Sequence, residues 1–313
     1  MTSLRWFFLI LGALPVAVFA LEHFAPSHAA RICLTLERLF AGLSLDSANI
    51  PGADMPFLEG GHGETIVLIH GFGADKDNFV RTAAYLTRHY HVVIPDLPGF
   101  GDASRDLEAD YSITQQAANL RAFLYKLGLE RVHLGGSSMG GFVAAEFAAR
   151  YPDLVASLWL LSPAGTAAGL NQDLEREYAA TGALPWLIPT VESFDQLLRA
   201  TTVRPYFLPR STRRRLALRG AADYPLHVRV MRELQNSQFI ESRYFRIETP
   251  ALIVWGSGDR IHQPAGADAL QAIMPNSRVI RMPGIGHLPM VEAPRRCARD
   301  YLAFLATLPV QSA

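Results

Sequence analysis

The sequence predicts an α/β fold, a mostly parallel central sheet with helices on both faces and a helical insertion. Three observations carry this. From residue 65 onward, short apolar runs rich in β-branched residues alternate with segments of helical period. Those runs are apolar throughout instead of alternating with polar residues, as strands buried on both faces of a parallel sheet are. One stretch, residues 164–246, interrupts the alternation and holds no convincing strand.

The chain opens on its most apolar segment, Trp6 to Leu21 (WFFLILGALPVAVFAL), uncharged between Arg5 and Glu22. As a helix this run reaches about 24 Å, slightly short of a bilayer core of about 30 Å, and Trp6 and Phe24 extend it. Pro15 is tolerable in a membrane helix. Residues 1–27 therefore read as a transmembrane anchor. A cleaved signal peptide, with Arg5 as its basic start and Val18-Phe19-Ala20 as its cleavage region, is the competing reading. Residues 28–50 come next as a juxtamembrane amphipathic helix. Within Ala29 to Leu43 the side chains of Ile32, Leu36, Leu39, Phe40 and Leu43 share one face, with Arg31, Glu37 and Arg38 largely elsewhere. The short tail with Arg5 orients the N-terminus inside, giving a membrane-anchored, single-pass chain whose main domain lies on the non-cytoplasmic, periplasmic or extracytoplasmic side. Gly12 and Ala13 would allow a homodimer through the anchor.

The core is expected over residues 51–163 and 247–313. Its strands read as Thr65 to His70, His91 to Pro95, Arg131 to Gly135, Leu154 to Leu161, Ala251 to Trp255 and Arg278 to Arg281. Helices read from Tyr111 to Leu127, Gly141 to Arg150 and Pro294 to Leu308. The insertion, 164–246, reads as a lid of separate helices: Gln172 to Ala180, Ser193 to Ala200, Ser211 to Gly220 and His227 to Asn236. From Arg199 to Arg246, 11 Arg face three acids (Asp223, Glu233, Glu241). This excess reads either as solvated helix faces or as a basic lid toward anionic lipid headgroups or substrate.

The chemistry is concentrated at three strand ends. Gly136-Ser137-Ser138-Met139-Gly140 is a G-x-S-x-G turn between a strand and a helix. Such a turn pushes the Ser138 hydroxyl out of the sheet, and Gly136 and Gly140 allow the backbone to come close. A serine hydroxyl needs a positioned base. His287, in Gly284-Ile285-Gly286-His287 after the sixth strand, is the candidate base. Asp259, in Gly256-Ser257-Gly258-Asp259 after the fifth, would fix its tautomer. The candidate oxyanion donors are the backbone N–H groups of Met139 and of Phe72, in His70-Gly71-Phe72-Gly73. His70 itself reads as a structural histidine closing the first strand.

With these residues in place, the chain resembles the α/β-hydrolase superfamily from about residue 55 to 308. LIHGFG (68–73), DLPGFGDAS (96–104), GGSSMGG (135–141), WGSGD (255–259) and GIGH (284–287) match its landmarks in order. SSMGGFVAAEFAARYP, LWLLSPAG and LIPT (187–190) look most like membrane-anchored monoacylglycerol lipases. Bacterial membrane-bound phospholipase A and lysophospholipase-type esterases look similar too. The resemblance implies hydrolysis of fatty-acyl carboxylic esters through an acyl-enzyme, at a bilayer, with no metal and no organic cofactor. It also implies that Trp186, Leu187, Ile188, Tyr206 and Phe207 are candidates for an acyl pocket under the lid.

Two alternatives stay open. Carbon–carbon bond hydrolases of ring-cleavage products share the Ser, His and Asp set. A ligand-binding module without turnover would be signalled by a missing triad member, and none is missing. Composition excludes more. Lys and Arg total 29 against 29 Asp and Glu, so the chain lacks the net basic footprint of a nucleic-acid binder. Half of the residues are hydrophobic and 19% charged, enough for a large core. Two cysteines, Cys33 and Cys297, make neither a disulfide framework nor a Cys-based zinc site.

Overall fold

A computed structural model describes residues 18–204 and 206–309. An eight-stranded sheet runs through the molecule in the order β1-β2-β4-β3-β5-β6-β7-β8. Its strands are β1 (Ser44–Ile50), β2 (Ala53–Gly60), β3 (Thr65–Ile69), β4 (His91–Pro95), β5 (Val132–Ser137), β6 (Val155–Leu161), β7 (Ala251–Gly256) and β8 (Ser277–Met282). The pairs from β4 through β3, β5, β6 and β7 to β8 are all parallel, and β1 and β2 join antiparallel at one edge. All six expected strands are present. β5, β6 and β7 are buried along their whole length, so truncating a Leu or Ile there to Ala costs roughly 2–5 kcal/mol.

Helices cover both faces. They are α1 (Pro26–Phe40), α2 (Val80–Leu86), α3 (Ile113–Lys126), α4 (Met139–Arg150), α5 (Gln172–Thr181), α6 (Phe194–Thr201), α7 (Arg210–Gln235), α8 (Ile240–Arg243), α9 (Gly266–Ile273), α10 (Pro289–Glu292) and α11 (Pro294–Leu305). One core layer gathers Phe57, Leu120, Phe123, Phe147 and Ile253 on the α3/α4 side. The other gathers Leu68, Phe79, Leu86, Leu252 and Tyr301 on the α2/α11 side. There Trp159 of β6 stacks on Tyr301 of α11 with ring centroids 4.1 Å apart. Cys33 and Cys297 are both free thiols.

Two expectations are corrected. The helix foreseen over 28–50 stops at Phe40. Gly42, at φ +69°, turns the chain, and residues 44–50 form β1 instead. The pairing of Ser44 with Glu59 through Ile50 with Ala53 explains this: a hairpin turning at Gly52 satisfies the backbone of both segments. The two lid helices foreseen at 211–220 and 227–236 are one, α7, with Pro225 inside it. Gly220 reads as a helix stop, but a Cβ there would come within 2.7 Å of Ile188, so the glycine serves close packing within the lid. The face of α1 bearing Ile32, Leu36, Leu39 and Phe40 is exposed, whereas Ala29, Ala30 and Leu34 are buried.

Most of the apolar run expected to span a membrane, residues 6–17 of it, lies outside the described residues. Residues 18–24 are helical. Among the described residues, no helix is long and apolar enough to cross a membrane.

Candidate active site

The candidate residues converge because they all sit at the C-terminal ends of parallel strands. β5 ends at Ser137, and Ser138 caps α4 with φ 54° and ψ −120°. A non-glycine residue at positive φ carries backbone strain, held here by its surroundings. The Ser138 N–H donates to Leu161 at 3.0 Å, and its carbonyl accepts from Phe142 at 3.1 Å and Ala164 at 3.0 Å. The turn admits no larger residues beside it. A Cβ on Gly136 would overlap the Gly140 carbonyl, and one on Gly140 would overlap the carbonyls of Ile69 and His70. Gly71 packs directly on the serine, with its would-be Cβ 3.2 Å from that of Ser138.

Phe72 lies in the loop after β3 and Met139 in the first turn of α4. The N–H groups of neither donate to a protein acceptor among the described residues. Both residues line the cavity that contains Ser138. His70 is fully buried and serves the loop. It donates from Nδ1 to the Gly71 carbonyl at 2.8 Å, and its Nε2 accepts from the Leu97 N–H at 3.0 Å.

His287 and Asp259 meet on the far side. His287 Nδ1 lies 2.8 Å from Asp259 Oδ2, and both side chains are buried. The other oxygen, Asp259 Oδ1, accepts from the N–H groups of Ile261 at 2.8 Å and His262 at 3.0 Å. Burial alone would raise the Asp259 carboxyl, but the imidazoles of His287 and His262 and these hydrogen bonds hold it below its ordinary value. The acid is therefore a fixed anion, suited to orienting an imidazole and stabilising its protonated form.

The insertion, residues 164–246, supports this arrangement directly. The Thr201 carbonyl, at the end of α6, accepts the His287 backbone N–H at 2.8 Å. Glu292 clamps the neighbouring loops, accepting from Gly286 at 2.7 Å, Arg204 at 2.7 Å and Val203 at 3.0 Å. A charged network braces the loop after Phe72. Fully buried Lys76 donates to Asp96 at 2.6 Å and Asp102 at 2.7 Å, and Arg219 of α7 donates to Asp75 at 2.8 Å and also to Asp102. Burial opposes ionisation of Asp102, yet Lys76 and the arginines hold it at about 2. From α1, Arg38 grips Asp77 with two hydrogen bonds of 2.7 and 2.6 Å. Thus α1 and α7 both reach the loop that carries Phe72. Spacing in the sequence gives no sign of Thr201, Glu292 or Arg219, because their partners come from other segments of the fold.

The cavity has a volume of about 320 Å³. Ser138, His287 and His262 reach it, as do Leu174, Leu197, Leu198, Leu216, Met231 and Ile261. Of the five acyl-pocket candidates, Trp186 and Tyr206 line it. Leu187 and Ile188 are buried elsewhere in the insertion, Ile188 against Phe194 and Ala217, and Phe207 is exposed. A run of neighbouring apolar residues cannot all face one cavity, and the lid's own packing takes two. Six of the 11 arginines between Arg199 and Arg246 are paired with acids among the described residues. Arg213, Arg215, Arg219, Arg229, Arg243 and Arg246 pair with Asp195, Asp102, Asp75, Glu233, Glu146 and Glu248.

Comparisons with known proteins bear on the fold. The family described as alpha/beta hydrolase fold matches residues 64–294. Lipase 1 of Psychrobacter immobilis is 36% identical over 282 residues, covering 88% of each chain. The monoacylglycerol lipase ABHD6 of Homo sapiens is 32% identical, covering 79% of this chain and 77% of its own. The crystal structure of a membrane phospholipase A, described as a bacterial virulence factor, superposes with a TM-score of 0.87 at 37% identity. It covers 96% of this chain and 98% of its own.

Proposed function

The chain belongs to the alpha/beta hydrolase fold family, and from that premise we propose that it is a serine carboxylic ester hydrolase of the lipase and phospholipase type. Its substrates are fatty-acyl esters, namely a monoacylglycerol, lysophospholipid or phospholipid, cleaved at or near a bilayer. The observation that carries this reading is the strained Ser138 sharing a cavity with a His287 that is bonded to Asp259 at 2.8 Å.

The chemistry is built on those positions. His287 takes the Ser138 proton as the oxygen attacks the ester carbonyl. The N–H groups of Phe72 and Met139 receive the developing oxyanion, aided by the N-terminus of α4. His287 then protonates the departing alcohol, leaving an acyl-serine. A water activated by the same imidazole releases the fatty acid. The leucine-rich cavity suits an acyl chain, which supports an ester substrate over a polar ring-cleavage product. Residues 164–246 act as the lid that shapes the acyl site.

The bilayer role rests on the uncharged run Trp6 to Leu21 and on the apolar surface next to it. Phe19, Phe24, Ile32, Leu36, Leu39 and Phe40 are all exposed apolar side chains near the N-terminus. A surface of that kind is costly in water and suits a lipid interface.

The test is fatty-acid release in detergent micelles from monoacylglycerol, lysophospholipid and diacylphospholipid. Ser138→Ala is expected to lower release at least about a thousandfold while the unfolding transition stays intact. Turnover near the wild-type level in that variant would sink the assignment.

A further inference from the structure

The triad accounts for Ser138, His287 and Asp259, yet a second histidine lines the same cavity. His262 lies three residues beyond Asp259 in the chain. Its ring stands edge-on to His287, with centroids 5.1 Å apart and planes at 70°. The backbone there is pinned on both sides. The His262 N–H donates to Asp259 Oδ1 at 3.0 Å, and its carbonyl accepts from Trp255 Nε1 at 3.4 Å. Among the described residues, neither ring nitrogen of His262 makes a hydrogen bond, and neither is sealed from the cavity or solvent.

Position decides what such a ring meets. In the serine esterase reading, on which this inference rests, His287 hands its proton to the leaving oxygen. The alcohol half of the ester must therefore lie against His287, and a ring edge-on to His287 borders that same alcohol. Among the described residues no hydrogen bond joins the two rings, and His287 Nδ1 is taken by Asp259, so His262 is no relay to the base. We propose that His262 binds the alcohol portion of the substrate through a free hydroxyl beside the scissile ester, which makes acyl esters of glycerol better substrates than simple alkyl esters. Burial and the neighbouring His287 push the His262 imidazole down to about 4, so near neutrality it offers one donor and one acceptor. A hydroxyl, itself donor and acceptor, matches that pair. A neutral ring also avoids a second positive charge beside the imidazolium that His287 becomes.

The test uses the full chain in detergent micelles with three esters of one fatty acid: the 1-monoacylglycerol, the 1-acyl lysophosphatidylcholine and the methyl ester. His262→Phe is expected to lower kcat/KM on both glycerol esters by roughly 3- to 10-fold and to leave the methyl ester within about 2-fold, the effect of one neutral hydrogen bond. His262→Gln, which keeps a donor and an acceptor, should recover most of the loss. An equal loss on all three esters would make His262 a structural prop of the Asp259 loop and overturn the proposal. No loss on any ester would overturn it too. A loss confined to the lysophospholipid would assign the contact to the phosphate headgroup instead of the hydroxyl, which also overturns it. Should His262→Phe fail to fold, His262→Leu makes the same comparison. Failure of the underlying reading looks different: wild-type chain would release no fatty acid from any ester, or Ser138→Ala would keep its activity.

Discussion

Ser138 is legible as a candidate nucleophile because the requirements of its turn are local. A turn between strand and helix at φ 54° needs small neighbours within two residues on either side, and Gly136 and Gly140 supply them. Asp259 and His287 are legible for a related reason, since each comes soon after a strand and in the expected chain order. Their bond of 2.8 Å joins residues 28 positions apart, and it predicts a particular failure. Asp259→Asn keeps the shape but can no longer accept from the His287 N–H as an anion. It should lower kcat about a thousandfold or more, with KM little changed and Ser138 still in place. Steady-state kinetics on one micellar ester would check this, and an unchanged kcat would mean that another carboxylate orients the base.

At the scale of elements, the insertion and the core are joined through the loop after β3. His227 of α7 packs on Phe72 and Phe100, with ring centroids 5.2 Å from each. It is buried, and Nε2 has no partner among the described residues. Burial is the main cause that pushes its imidazole down to about 4. Arg105 and His70 act in the same direction, against Asp223 and the Gly99 backbone. Above pH about 6.5 the ring is neutral whether folded or unfolded. Between there and pH about 4, the unfolded chain takes up a proton that the folded chain refuses, so stability falls as pH falls. The slope for one such histidine approaches about 1.4 kcal/mol per pH unit. Urea unfolding at pH 7, 5.5 and 4.5 should therefore show a steeper loss for wild type than for His227→Phe. Parallel slopes would count against His227 as a source of the acid sensitivity. The sequence hides this contact, since a reading of two short helices sets His227 at the start of a separate segment.

For the whole molecule, the N-terminal region is tied to the insertion at residues 164–246. Glu22 accepts from Ser211 at the start of α7, with hydrogen bonds of 2.8 Å from the backbone and 2.7 Å from the hydroxyl. A carboxylate at a helix N-terminus satisfies free N–H groups and complements the helix dipole. The segment at the end of the apolar run thus holds the helix that packs over the cavity. If residues 1–27 are the anchor, deleting them should move the protein from the sedimenting membrane fraction to the supernatant. It should also lower stability, because Glu22 leaves with the deletion. A truncated chain that still sediments would assign membrane binding to the exposed face of α1.

The order of the candidate residues is written in the sequence alone: nucleophile, acid and base candidates in chain order, after β5, β7 and β8 of a parallel sheet, with a strandless insertion between β6 and β7. Local turn geometry and uniform burial leave marks on neighbouring residues, and neighbours are what a sequence displays. Three-dimensional packing was needed to establish which apolar lid residues face the cavity, and that Arg38, Arg219 and Thr201 brace the site. It was needed as well to show that residues 44–50 extend the sheet instead of the helix. Most of those outcomes are contacts between segments distant in the chain, and in all of them packing, pairing and charge outweigh local propensity. Such contacts have no spacing to read.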